Sequence, residues 1–146
     1  MAFVAERVRS EEDKRYIHSV GFLDVLGDPL DTPRYWAIDR ELGRMFVSCG
    51  GGGPELPEKY ALYVDGMIID IEGHENSDGN MYQGGVRIQW KIRWIGIPKS
   101  WLEKGGDIEQ LKEIIREACI AYASRGLKPS QIQDIVVEFK EEFTVK

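Results

Sequence analysis

Val86-Arg87-Ile88-Gln89-Trp90-Lys91-Ile92-Arg93-Trp94 is the stretch that decides the fold, because apolar and polar residues alternate in it at every position. This alternation is typical of a β-strand with one buried face, since successive side chains point to opposite sides of a sheet. We therefore predict a strand over 86–95 whose buried row consists of Val86, Ile88, Trp90, Ile92 and Trp94. The opposite row carries three cations, Arg87, Lys91 and Arg93.

Two hairpins are predicted upstream of this strand. Asp65-Gly66 is a type I′ turn signal, because both central positions of that turn require a positive φ. A two-residue loop there pairs Val64 with Met67, Leu62 with Ile69, Tyr60 with Ile71 and Lys59 with Glu72. In the earlier hairpin, strands 35–39 and 44–49 flank a turn that Gly43 closes. Its register pairs Ile38 with Met45, Trp36 with Val47 and Asp39 with Arg44.

One long amphipathic helix is predicted over 108–125. Asp107 is a suitable N-cap, apolar residues recur every three or four positions, and Gly126 is placed to end the helix in the left-handed conformation. Ser10 predicts a shorter helix over 11–19. A last strand is predicted over 135–139. Residues 21–34 and 73–85 are predicted to be loops, because they are rich in glycine, proline or polar residues.

These elements predict a single α+β domain over residues 1–146. Hairpins imply antiparallel pairing, and one amphipathic helix can cover one face of such a sheet. We therefore expect a two-layer domain with a mostly antiparallel sheet of about six strands, covered on one face by a single long C-terminal helix. A chain of 146 residues can bury a sufficient core without disulfides or metal ions.

Charge and composition restrict the classes of partner. The formal net charge of −6 disfavours non-specific binding to nucleic acid or to an anionic membrane. The N-terminus does not resemble a signal peptide, and no apolar run reaches the roughly 18 residues that span a bilayer. With only two cysteines, Cys49 and Cys119, the chain does not suggest a disulfide scaffold. We expect a cytoplasmic protein without a cofactor or a membrane partner.

Cys49 is a candidate nucleophile because four glycines follow it and could present N–H groups to an oxyanion. A thiol also needs a base, and nothing in the sequence ties His18 or His74 to it. The alternative is a small apolar residue packed in the core, which is the more common role of cysteine. The glycine run is not followed by the Lys-Ser or Lys-Thr of a phosphate-binding loop.

The segment from Glu72 to Asn80 is the densest group of possible metal ligands, with His74 and several carboxylates. Its spacing matches neither an EF-hand loop nor a zinc motif. We predict an acidic loop over 72–78 instead, in which Glu72, Glu75 and Asp78 contact a basic partner. The cations Arg87, Lys91 and Arg93 are expected to pair across strands with acids such as Asp70 and Glu72. Binding of a phosphate backbone or an acidic protein is the functional alternative for them.

The sequence contains no catalytic triad, complete metal motif or nucleotide-binding fingerprint. We therefore predict a small acidic protein-binding module, specifically an inhibitor of the immunity or antitoxin type that docks on a basic effector such as a nuclease. One alternative is a small enzyme, a hydrolase or metal-dependent, that uses Cys49 or the 72–78 segment. Another is a structural subunit of a larger assembly, which exposed tryptophans would favour.

Overall fold

The computed structural model describes residues 3–22, 35–48, 57–78, 85–141 and 143–146. Within them, eight strands form one sheet: β1 (Val4–Arg7), β2 (Tyr35–Asp39), β3 (Arg44–Ser48), β4 (Glu58–Val64), β5 (Met67–Asp78), β6 (Val86–Ile97), β7 (Ile132–Phe139) and β8 (Phe143–Val145). The helices there are α1 (Glu11–Ser19), α2 (Lys99–Glu103), α3 (Ile108–Ala123) and a 3₁₀ turn at Pro129–Gln131. The strands lie in the order β1 to β7, and β8 pairs with β6.

Both predicted hairpins are confirmed, register included. Asp65 and Gly66 have φ values of 52° and 77°, as a type I′ turn requires, and they set Leu62 opposite Ile69. Gly43 has a φ of 67° in the turn between β2 and β3, where Asp39 lies opposite Arg44. Local turn chemistry therefore determines the central part of the sheet.

A β-bulge interrupts the alternation in β6. Glu72 lies opposite Trp94 and the next residue, Gly73, lies opposite Ile92, so that Arg93 is an extra residue in β6. The extra residue reverses the alternation, and Ile95 rather than Trp94 enters the core with no exposed surface. Trp94 is half-buried on the other face, where its Nε1 donates to Oγ1 of Thr144 at 2.9 Å. The prediction that Trp94 belongs to the buried row is therefore wrong.

The sheet is curled into a half-barrel around α3. This helix contacts β1, β2 and β3 at one side of the sheet and β7 at the other. Seven strands at a spacing of about 4.8 Å would make a flat sheet roughly 29 Å wide, whereas a helix with its side chains is only about 10–12 Å across. Only a curled sheet can bring the strands near both of its edges into contact with the same helix.

The predicted architecture of six mostly antiparallel strands under a single long C-terminal helix is wrong. The sheet has eight strands and is mixed, because β7 and β8 both run parallel to β6. Edge strands β1 and β8 have four and three residues, too few to display an alternating pattern. The prediction of a loop over 73–85 is also wrong at its start, because β5 continues to Asp78 as the partner of β6.

Two apolar cores lie on opposite faces of the curled sheet. The larger one fills the concave face against α3 and contains Phe46, Tyr60, Trp90, Ile115 and Tyr122 among others. The smaller one lies on the convex face, where α1 contributes Ile17 and covers Trp36, Met45 and Val47. Strands β2 and β3 are therefore buried on both faces. Among the described residues, no helix has both the length and the apolar character needed to cross a membrane.

Candidate functional site

A row of three glutamates runs along α3. Asp107 begins this helix by accepting a hydrogen bond from the Glu109 N–H at 2.9 Å. Glu109, Glu113 and Glu117 then follow at steps of four residues, which places them on one face of the helix. The side chains of Glu109 and Glu113 are 81% and 66% exposed. The row therefore presents negative charge directly to solvent.

The cations of α3 lie on a different side of the helix. The Nζ of Lys112 is 5.4 Å from the ring centroid of Phe143, and the Cζ of Arg116 is 5.4 Å from that of Phe139. Both aromatic residues belong to the β7–β8 side of the sheet. Lys112 and Arg116 also pair with Glu109 and Glu113, but such exposed pairs contribute only about 0.3–0.5 kcal/mol each. The two cations thus lie towards β7 and β8, while each stays within ion-pair distance of one glutamate of the row.

The glutamate row borders a groove of about 620 Å³, which we call the acidic groove. Its lining residues are Leu42, Arg44, Glu109, Gln110, Glu113, Ile114 and Glu117. Leu42 is 64% exposed at the tip of the β2–β3 hairpin, so the groove combines an apolar contact with three acids. Arg44 does not neutralise these acids, because its Nε and Nη2 donate to Oδ2 of Asp39 at 2.8 and 2.6 Å.

An ion pair between Asp39 and Arg44 lies beside this groove, which Arg44 lines. Both residues are buried, and their side chains lie opposite each other in the hairpin. Burial alone would raise the pKa of Asp39, but the N–H of Leu42 and the Arg44 guanidinium outweigh it and lower the pKa. Asp39 is therefore ionised at neutral pH, and Leu42 is held in place by its hydrogen bond to that carboxylate.

Glu75, one of the predicted partner-binding residues, lies on the inner face of the sheet opposite Trp90. Nη1 of Arg125 donates to both of its carboxylate oxygens at 3.0 and 2.9 Å. The guanidinium of Arg125 also lies 4.1 Å from the centroid of the Tyr122 ring. The side chains of Glu75 and Arg125 are only 15% and 26% exposed. This pair connects β5 to the segment just after α3.

Burial dominates the electrostatics around Glu75. It raises the pKa of Glu75, and the opposing effect of Arg125 does not fully compensate. It also raises the pKa of Tyr60, whose hydroxyl donates to Glu58. The pKa of Cys119 is raised by burial and by the charge of Glu75, so this thiol is not activated as a nucleophile.

The structure does not bring the three predicted partner-binding acids together. Glu72 lies opposite Lys59 and Trp94 on the outer face of β5, whereas Glu75 lies on the inner face. Asp78 ends β5 opposite Arg87, and its side chain lies outside the described part. Their role in binding a basic partner stays a prediction. The segment that carries them is a paired strand rather than the loop that we predicted.

Cys49 and the glycines that follow it lie outside the described residues. In the ranges that the structure describes, no group of three or more histidine, cysteine, aspartate or glutamate side chains is placed to hold a metal ion. Comparisons with protein-family models, with curated proteins and with solved structures gave no match for this chain.

The glutamate row on α3 was not singled out from the sequence, although its signal was present. Residues 109, 113 and 117 follow a four-residue spacing next to the apolar stripe of the helix. What the sequence does not contain is the position of Leu42, which is 67 to 75 positions away along the chain and borders the groove only through the fold.

Proposed function

We propose that this chain is a protein-binding module and that it binds a basic partner through the acidic groove. The observation that carries the proposal is the exposed row of Glu109, Glu113 and Glu117 beside the exposed Leu42. Such a surface offers a complementary charge to lysine and arginine side chains, and an apolar contact that can be desolvated at the centre of an interface. The net charge of −6 adds a long-range attraction for the same class of partner.

Within that class, we propose an inhibitor that blocks a basic effector such as a nuclease. An active site that binds phosphate groups is itself rich in cations, and a rigid acidic helix can occupy it. Electrostatic attraction can raise the association rate from about 10⁵–10⁶ M⁻¹s⁻¹ towards 10⁸ M⁻¹s⁻¹ or more at low salt. The support is the charge of α3 together with the buried Asp39–Arg44 pair, whose Asp39 carboxylate holds Leu42 beside the groove.

The test compares three forms of the tagged chain as bait in lysate of the cells that produce it. The first is the wild type and the second is the groove variant Glu109→Gln/Glu113→Gln/Glu117→Gln. The third is a control, Glu11→Gln/Glu12→Gln/Glu103→Gln, with the same loss of charge at exposed helical positions. Glu11 matches Glu109 closely, because each lies in the first turn of a helix and pairs with a lysine three residues on.

We expect the wild type and the control to retain a basic protein at low salt and to release it at high salt, and the groove variant not to retain it. Equal retention by the groove variant and the control would contradict binding through the acidic groove. The purified partner then tests the inhibitor role in a titration of its own activity. Loss of activity at a one-to-one ratio supports inhibition, and full activity in the saturated complex would exclude it.

A further inference from the structure

A second groove, of opposite charge, lies on the outer face of the sheet. It has a volume of about 500 Å³, and its lining residues are His74, Lys91, Arg93 and Lys140. We call it the basic groove. His74 comes from β5, Lys91 and Arg93 come from β6, and Lys140 directly follows β7. Three segments that are far apart in the sequence therefore place basic side chains in one concavity of an otherwise acidic protein.

The acids that we expected to neutralise Lys91 and Arg93 have other neighbours in the structure. Asp70 lies opposite Gly96 and pairs with Lys146 instead. Glu72 lies opposite Trp94, because the bulge at Arg93 shifts the register. Opposite Lys91 on β5 there is no carboxylate but His74. The predicted pairing of Lys91 and Arg93 with Asp70 and Glu72 is therefore wrong, and the acid that lies across from Lys91 is Glu138 of β7.

One acid does border the basic groove. Glu138 lies opposite Lys91 in the parallel ladder and approaches Lys140 at 3.8 Å, where both side chains are about half exposed. Within the described ranges, no ion pair or side-chain hydrogen bond involves Lys91, Arg93 or His74. Three formal positive charges thus face one negative charge. Like charges held close together repel one another, so this arrangement lowers stability unless an anion binds there.

We propose that the basic groove binds a small polyphosphate compound of nucleotide size. A volume of about 500 Å³ is typical of small-molecule sites. Phosphate oxygens carry several negative charges within a few ångströms, which matches several converging cations better than a single carboxylate does. The Arg93 guanidinium can bind such oxygens through two N–H groups at once.

The surroundings favour a small compound over a nucleic-acid strand. Single strands bind proteins through aromatic rings on which bases stack, in addition to cations. The outer-face aromatic residue next to the groove is Trp94, and the Nζ of Lys146 lies 4.4 Å from its ring centroid. Its Nε1 is held by Thr144, so this ring is already covered and fixed. Glu138 borders the groove, and the next concavity on this face contains Glu72 and Asp70, so a longer phosphate backbone would meet more acids than a small compound does.

The experiment is a calorimetric titration of the full chain with tripolyphosphate, adenosine triphosphate and a 12-nucleotide single strand as separate probes. The variants are Lys91→Gln/Arg93→Gln and, separately, Lys140→Gln, which lies outside the strands and leaves their pairing intact. The control is Arg9→Gln/Lys104→Gln, which removes two exposed cations elsewhere. Thermal unfolding of each variant confirms that it is folded.

We expect tripolyphosphate and the nucleotide to bind the wild type and the control alike, with affinity that falls as salt is added. The double variant should bind on the order of tenfold more weakly, and Lys140→Gln should show a smaller loss in the same direction. Absence of binding to the wild type, or equal binding by the double variant and the control, would overturn the proposal. Tighter binding of the single strand than of tripolyphosphate would overturn its assignment to a small compound.

Discussion

The charged side chains on the two faces of the β5–β6 ladder differ in whether they have an ion-pair partner. On the inner face, Glu75 is compensated by Arg125, which uses one nitrogen to contact both carboxylate oxygens. On the outer face, Lys91 lies next to His74 and Arg93 without such a partner. Two unit charges 4 Å apart interact by about 4 kcal/mol near a protein surface but by only about 1 kcal/mol in water.

This difference shows which charges folding itself requires. A buried charge without a partner would prevent a stable core, so its pairing says little about function. A cluster of like charges in water costs little and adds nothing to the stability of the fold. Its presence therefore calls for an explanation outside folding, which for the basic groove is the bound anion that we propose. The comparison predicts large effects for changes on buried pairs and small effects of opposite sign on the outer face.

Asp39→Asn is expected to have the largest effect, a loss of about 4 kcal/mol in the free energy of unfolding at neutral pH. The reason is that Arg44 would remain buried without its counter-ion. The pKa of Asp39 is lowered in the folded state, so the wild type has its full advantage above the unfolded pKa of about 3.9. As pH falls through the lower folded value, Asp39 becomes protonated and the advantage disappears. Urea unfolding of both proteins between pH 7 and pH 3 measures this.

The difference in unfolding free energy between the wild type and Asp39→Asn should therefore be constant near neutral pH and become smaller in acid. A gap that stays the same down to pH 3 would mean that the ionised carboxylate of Asp39 does not support the fold. Glu12→Gln serves as the control, because it also removes one negative charge but at an exposed position. Its unfolding free energy should stay within about 0.5 kcal/mol of the wild-type value at each pH.

Ile95→Ala compared with Trp94→Ala tests the bulge that separates the two faces. Ile95 is fully buried, so its truncation should cost about 3 kcal/mol. Trp94 is the larger side chain but is half-buried on the outer face, and its truncation should cost less, about 2 kcal/mol. If the alternation continued without a bulge through Trp94, the Trp94→Ala variant would lose more stability than the Ile95→Ala variant. Chemical denaturation of the two variants distinguishes the two registers directly.

The bulge also shows how far the sequence alone could determine this fold. Asp65-Gly66 and Gly43 specify their turns locally, and the registers of both hairpins followed from them. Arg93 looks like an ordinary outward residue of an alternating strand, because the extra residue is defined only by the pairing with β5. The parallel placement of β7 beside β6 likewise depends on how α3 packs, which no local pattern in Ile132–Phe139 records.

The candidate sites also differ in how much of each can be predicted from the sequence alone. The spacing of Glu109, Glu113 and Glu117 can be read from the sequence, since a helix converts steps of four into one face. The basic groove cannot be read in this way, because His74 and Lys140 meet Lys91 only after three segments have come together. Similarly, the sequence predicts Glu75 in a loop that contacts a basic partner, whereas the cation that it pairs with in the fold, Arg125, is 50 residues away.

Arg125→Met is expected to lower the free energy of unfolding by about 2 kcal/mol, less than Asp39→Asn. The Glu75–Arg125 pair is partly exposed, so water can partly solvate the carboxylate that is left. The pKa of Glu75 is already raised by burial, and loss of the cation should raise it further. The variant should therefore recover stability as pH falls and Glu75 becomes protonated. The double variant Glu75→Gln/Arg125→Met, which has no buried carboxylate here, should lack this recovery in urea unfolding at pH 7 and pH 5.

The smallest expected effect is an increase of about 0.5 kcal/mol in the unfolding free energy of Lys91→Gln/Arg93→Gln without any anion present. Removing the two charges relieves their mutual repulsion, and sites kept for binding are often stabilised when their charges are lost. Salt screens the same repulsion, so the gain should shrink from 20 mM to 500 mM sodium chloride. The control Arg9→Gln/Lys104→Gln removes equal charge without relieving a cluster and should gain less at low salt. Equal gains in the two variants would show that only net charge matters, and the contrast between the two faces would then lose its functional meaning.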